Sequence, residues 1–422
     1  MKKLTSVLCC LMMAAVAATA AERVKITVSN ALGIARSQET VEVDAGAVAV
    51  RLGVADARGH VVVKDQDGRE LASQVTYDGK LIFQVGVAAK GKSVYYAEAG
   101  QPAVYEPQVF GRHFPERMDD IAWENDRVAF RTYGPALQKN NEKAYGFDVW
   151  NKRTGRLIVE ERYAGELDPQ VSAVVQKLRA MGQGDVADDV YNAVSYHVDH
   201  GTGMDCYKVG STLGCGTPAL LTEAGDIVYP WCWKSFEILD QGPLRFTVKL
   251  IYNPETVDGQ EVTEVRIVSL DAGSHLNRIS VSYENLAKSS NVVAGIVVHN
   301  ENPAAFVLNR QNGYMGYEDL GDPKQYKEKY RAKQNKDFGR IYVGAVFGGK
   351  LNDMRFQEGK NLPGAIGHIL ARTQISAGKS FTYYFGSGWS RNPETDIKSL
   401  NDWESYLSAF AQKVRKPLTV KM

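Results

Sequence analysis

The chain is poor in the residues that most often advertise chemistry, with 7 histidines and 5 cysteines among 422 residues. Cys9 and Cys10 sit in an apolar leader, so only Cys206, Cys215 and Cys232 remain beyond it. Their spacings, with single histidines nearby, match no structural zinc site. They read as small buried thiols or as one loop disulfide with a thiol left over, and not as catalytic thiols. Charge of one sign is also missing, since 50 basic residues face 49 acidic ones and no basic run occurs. That balance argues against nucleic acid as a partner. There is neither a P-loop nor a dinucleotide fingerprint, because the glycine-rich stretch after Asp199 lacks the strand-glycine-helix context those motifs need. Beyond the leader, no apolar run approaches the roughly 20 residues that would span a bilayer.

The leader carries Lys2 and Lys3, an apolar run, and Ala18-Thr19-Ala20. This is the pattern of a secretory signal peptide, residues 1–20, cut near Ala20, and it predicts a periplasmic or secreted protein. Lipidation at Cys9-Cys10 is disfavoured, because cleavage there would leave almost no hydrophobic segment to insert. Residues 21–108 read as an N-terminal β-sandwich. The runs VKITVSN, ETVEVD, AVAVRLG, HVVVKD, KLIFQVG and SVYYAEAG alternate apolar and polar residues, and Asp67-Gly68 and Asp78-Gly79 mark hairpin turns. After a linker at 101–107, residues 109–422 form the second and larger domain. A helix is predicted between Asp168 and Tyr191, with Asp168 as cap, Pro169 at its first position and an apolar face of Val171, Val174, Val175, Leu178 and Met181. Long alternating stretches from Trp231 to Glu301 and from Arg340 to Arg391 imply two large stacked antiparallel sheets. Residues 399–415 read as an amphipathic helix on the sandwich rim, and the polar run 322–340 as a solvated helix or loop.

The stretch Ser195–Leu220, SYHVDHGTGMDCYKVGSTLGCGTPAL, gathers His197, Asp199, His200, Asp205, Tyr207 and Lys208 among five glycines, where no regular periodicity survives. Glycines let the backbone bend sharply and approach a ligand closely, and loops on a rigid scaffold carry much of protein chemistry. A second dense stretch, RHFPERMDDIAWENDRVAFRTYGPAL, holds His113, Arg117, Asp119, Asp120, Arg131 and Tyr133. These two strings, together with FTYYFGSGWS near Trp389, resemble a bacterial family of unknown function, number 4861, found in polysaccharide-utilisation loci. The resemblance runs over most of the chain. It implies an all-β protein, a β-sandwich followed by a galactose-mutarotase-like supersandwich with a few short helices, in a secreted carbohydrate-active setting. It supplies no reaction.

Three chemistries follow from the residues. A lyase acting on uronate glycans needs a cation for the carboxylate, a base and an acid. Arg117, Arg131 and Lys208 suit the first role, His200 or His197 the second, and Tyr207 or Tyr133 the third. Strand alternation would place His197 and Asp199 on one face, with Asp199 orienting the imidazole. A glycoside hydrolase would instead pair Asp205 with Asp119, Asp120 or Glu124. A non-catalytic glycan binder would stack sugars on Trp389, Trp231, Trp233 or Tyr384. His299, at the end of an apolar strand, joins His113, Arg117, Asp119, Asp120, Arg131, Tyr133 and Trp389 as a substrate-binding candidate; His275 and His368 read as structural. No cofactor is expected. His197, Asp199, His200 and Asp205 could hold a divalent metal, yet their spacing matches no metal motif.

Overall fold

A computed structural model describes residues 23–321 and 338–422. The leader and most of the polar run at 322–340 lie outside the described residues. The chain is built chiefly of antiparallel strands.

The N-terminal part forms two small sheets over a core that includes Ile26, Val28, Val63, Leu81 and Phe83. One of these sheets is completed by Thr419–Lys421, which pairs with Arg23–Ser29. AVAVRLG, expected as a strand, is a helix at Ala45–Leu52. Asp44 caps it by accepting from the Ala47 amide at 2.7 Å, and Gly53 closes it at φ 65°. The buried residues Ala45, Val48, Ala49 and Leu52 follow helical spacing. Alternation of small apolar residues over seven positions could not separate the two periods; the caps decide it.

The larger part is a two-layer sandwich. One layer is a path of eight strands running from Trp233–Gln241 to Phe306–Asn309. The other consists of two five-stranded sheets, joined where Phe147 bridges Gly214. Trp123, Phe130 and Phe147 from one layer meet Phe246, Leu250, Tyr383 and Phe385 from the other in a single core. The hairpin predicted around Asn125-Asp126 pairs Glu124 with Ala129, and the Asn125 side chain accepts from the Arg127 and Val128 amides.

The helical stretch is more broken than expected. Val159–Glu166, Pro169–Ala180 and Gly184–Asn192 are three helices, and Gly182 adopts φ 74° between the last two. Asp168 caps the second as predicted. Its apolar face does not pack as a unit: Val175 alone is buried, while Val174 and Met181 are 47% and 61% exposed. The C-terminal helix, Leu400–Arg415, has its Ser399 cap but lies on the outer face of the eight-stranded layer rather than on the rim. Trp403 there donates to the Val343 carbonyl at 3.0 Å, in a groove opened by Gly316 and Gly344.

Candidate active site

On the strand Ala129–Thr132, Phe130 points into the core, so alternation turns Arg131 to the opposite face. Register places Asp148 directly across from Arg131 and Asp205 across from Trp150, while Asp120 opens the neighbouring strand. Adjacent strands thereby bring three carboxylates to one guanidinium. Arg131 Nε donates to Asp148 Oδ2 at 2.8 Å, and Nη2 donates to Asp205 Oδ2 at 2.9 Å and to the Tyr133 hydroxyl at 3.1 Å. Tyr133 in turn donates to Asp148 Oδ2 at 2.9 Å, and Tyr163 to Asp120 Oδ2 at 2.9 Å. Arg117 Nε donates to the Tyr196 hydroxyl at 3.1 Å. Burial pushes the Asp148 and Asp120 carboxyls upward against the opposing pull of Arg131. Burial likewise opposes the charge on Arg131, but Tyr133 and the three aspartates outweigh it and hold it ionised.

The cluster is roofed by the helix Val159–Glu166, whose start is pinned from below. Glu124 accepts from the Ile158 and Val159 amides at 2.6 Å each, and its other oxygen takes the buried Lys152 ammonium at 2.6 Å. A carboxylate at orphan amides of a helix start is favourable both as hydrogen-bond acceptor and as charge. Gly203, which leads into Asp205, adopts φ 106°, and a Cβ there would lie 2.1 Å from the Asn151 carbonyl oxygen. Gly203→Ala should therefore cost more than about 1 kcal/mol in a denaturant melt and loosen Asp205.

The second group gathers at the end of the sandwich where Gly203–Asp205, Ser290–His299 and Tyr314–Asp319 terminate. His299 Nδ1 faces Asp319 Oδ2 at 2.9 Å, bridging the two layers, and the His299 amide donates to the Tyr317 hydroxyl at 3.1 Å. Tyr207 stands edge-on to His299 at 6.0 Å between ring centroids, buried, with its hydroxyl making no hydrogen bond among the described residues. Burial, then the neighbouring Cys215 and Asp319, holds the Tyr207 phenol well above its ordinary range. Burial pulls the His299 imidazole down, but the charge and hydrogen bond of Asp319 outweigh it and the pKa is raised. Lys208 follows Tyr207 and runs beside Gly364, where an added Cβ would meet its Nζ at 2.8 Å.

Among the described residues no set of three or more His, Cys, Asp or Glu side chains is arranged to hold a metal ion. The family model for the domain of unknown function DUF4861 matches residues 28–420. The chain belongs to that family. It is 24% identical over 424 residues to the uncharacterised protein P7 of Formosa agariphila, across 94% of this chain and 93% of that protein. An alpha-mannosidase and a glycosyl hydrolase family 38 protein, both from Enterococcus faecalis, are similar solved structures at 10% and 9% identity, with TM-scores of 0.47 and 0.45. Both alignments cover 95% of this chain, which spans 46% and 47% of theirs.

Of the residues singled out in the DUF4861 chain, Arg117, Asp120, Arg131, Tyr133, Asp205 and His197 are brought together, and Tyr207, Lys208 and His299 form the adjoining group. Residues 195–200 form no strand. Asp199 does not orient His197; it accepts from Arg153 at 3.0 Å and from the Gly201 and Gly203 amides, tying the loop. His197 Nδ1 instead lies 3.1 Å from the Asp205 carbonyl and 3.6 Å from its carboxylate. His200 is exposed, with Nε2 3.1 Å from the Ser195 carbonyl. Asp119 accepts from the Ala136 amide at 3.1 Å, at the start of a short helix, and His113 packs on Phe236 at 4.7 Å. Trp389 is no sugar platform: it is buried and donates to the Phe338 carbonyl at 2.8 Å. Trp233 is also buried and Tyr384 packs on Phe410, whereas Trp231 is exposed. The three cysteines are buried and free. His368 and His275 are held neutral by burial, which lowers them to about 3 and about 4. Asp148, Asp319, Tyr163 and Tyr196 were not read from the sequence. Asp148 in GFDVW had a signal, a lone carboxylate set among Phe147, Val149 and Trp150.

Proposed function

We propose that this chain is a carbohydrate-active enzyme that cleaves uronate-containing glycans by β-elimination. The observation that carries the reading is the Tyr207 hydroxyl, buried without a hydrogen-bond partner among the described residues beside an imidazole gripped by a carboxylate. A buried hydroxyl left unsatisfied costs stability and needs a compensating reason. With Asp319 holding the proton on Nδ1, Nε2 of neutral His299 is the basic nitrogen. It takes the proton from the carbon next to the uronate carboxylate. The released electron pair becomes a carbon–carbon double bond as the glycosidic oxygen on the adjacent carbon departs. That oxygen leaves with the Tyr207 proton, and His299 afterwards returns a proton to the phenol through solvent. The raised pKa of Tyr207 suits an acid that must stay protonated until the bond breaks. Lys208 supplies the cation that offsets charge building on the carboxylate.

Hydrolysis is less well served by the same residues. Asp148 and Asp205 are both bonded to the Arg131 guanidinium and Asp120 lies 3.7 Å from it, so the three carboxylates share one cation rather than flanking an open space as a hydrolytic pair would. The test is incubation with alginate, polygalacturonate and glucuronoxylan, following ultraviolet absorbance and new reducing ends together. Elimination produces both; new ends without absorbance would overturn this reading in favour of hydrolysis.

The raised pKa of His299 fixes a pH dependence. Below it the imidazole is charged and cannot accept a proton, so activity falls as pH drops through that value. The same raised pKa contributes stability that is complete at low pH and fades as pH rises through it, so protonation of His299 does not itself unfold the chain in acid. Asp319→Asn removes the partner that raises the pKa. The acidic limb of kcat/KM should then move to lower pH, with a reduced plateau. An unmoved limb would assign the titration to another group.

A further inference from the structure

The lower face of the Arg131 cluster contains more hydrogen-bonding capacity than the protein uses. Arg131 Nη1 and Arg117 Nη1 stand 3.7 and 4.0 Å from Asp120 Oδ2, an ion-pair separation longer than a hydrogen bond, and among the described residues neither makes a hydrogen bond. Asp120 Oδ1 has none either. Two N–H donors and one acceptor are thus left over in one buried cluster, whose Arg131 and Asp120 are 4% and 0% exposed. Aromatic rings surround it: the Arg131 guanidinium lies 4.8 Å from the Tyr133 ring, 5.0 Å from Trp150 and 5.8 Å from Tyr196. Trp150 Nε1 is a further buried donor without a partner. The Arg117 side chain, 21% exposed, marks the rim.

We infer that this is a binding subsite for a neutral, hydroxyl-rich sugar ring, separate from the Tyr207–His299 pair. A sugar hydroxyl can accept from a guanidinium N–H and donate to a carboxylate oxygen, the two capacities left over here. Charge selects the class of ligand. Three aspartates against two arginines leave the spot without excess positive charge, so a carboxylated or sulfated ring would meet acceptors it cannot satisfy. The inference stands on these contacts and does not require elimination at Tyr207. If both hold, the substrate carries a neutral sugar near the uronate.

The test is a ligand-observed NMR titration of the whole chain with methyl β-xyloside, methyl α-mannoside and glucuronate, repeated in Tyr207→Phe. Saturable binding of a neutral glycoside, tighter than glucuronate and retained in Tyr207→Phe, is expected. Arg117→Gln should weaken it about tenfold or more, the loss of a charge-assisted hydrogen bond, with an unchanged melting temperature. Should Arg117→Gln fold poorly, Arg117→Lys keeps the positive charge and removes the forked donor pair, and it too should bind more weakly. No saturation by either neutral glycoside, tighter binding of glucuronate, or parent-like binding in the folded variants would each overturn the inference. Failure of the elimination assay with these results intact would remove the lyase reading alone.

Discussion

Tyr207→Phe should abolish most elimination activity, by a factor on the order of 10² to 10⁴, while the unfolding midpoint stays level or rises slightly. The two expectations come from one fact. The hydroxyl is buried and makes no hydrogen bond among the described residues, so their packing has nothing to lose with it. Deleting an unsatisfied buried polar group in place, with the ring retained, is neutral or favourable to stability. A structural tyrosine would behave in the opposite way, losing stability with the hydroxyl and leaving chemistry intact. The decisive comparison is therefore kcat against melting temperature in one variant. If kcat is preserved in Tyr207→Phe, the acid lies elsewhere and the elimination reading fails at its main support.

Arg131→Met carries the largest expected effect on folding, about 3–5 kcal/mol in chemical denaturation at neutral pH. The guanidinium is the shared partner of Asp148 and Asp205 and stands 3.7 Å from Asp120, all of them buried. Methionine fills much of the volume but leaves three carboxylates facing one another. The defect should shrink as pH falls, because protonation removes the uncompensated charges. It should also shrink when Asp148→Asn and Asp205→Asn are added, which separates charge from packing. A loss below about 1 kcal/mol, the range of ordinary substitutions, would mean that solvent reaches the cluster and screens it.

Much of the architecture could be read directly from alternation. The hairpin at Asn125-Asp126, the long strands after Trp233, the Asp168 cap and the Ser399 helix all follow from period and punctuation. Where short apolar runs carried both periods, as in AVAVRLG, sequence could not choose. The site was legible as two dense stretches, since Arg117, Asp120, Arg131 and Tyr133 do meet Asp205. What sequence could not provide was partnership across strands. Asp148 becomes the partner of Arg131 only through register, and Asp319 reaches His299 only because two layers close against each other. His197 was matched to Asp199 by proximity along the chain, but that carboxylate is consumed by Arg153 and by glycine amides in its own loop. Aromatic residues misled for a related reason: Trp389 and Trp233 serve the core, and nothing local in the sequence distinguishes a buried indole from an exposed one.

The pairing of Thr419–Lys421 with Arg23–Ser29 has a consequence for the order of assembly. Arg36, near the beginning of the described chain, also donates to the carbonyl of Lys416 at 2.8 Å. The sheet that holds Arg23–Ser29 is thus finished by a strand that follows the whole sandwich in the chain. During synthesis that early sheet has an open edge, and the whole sandwich must be produced before the edge is covered.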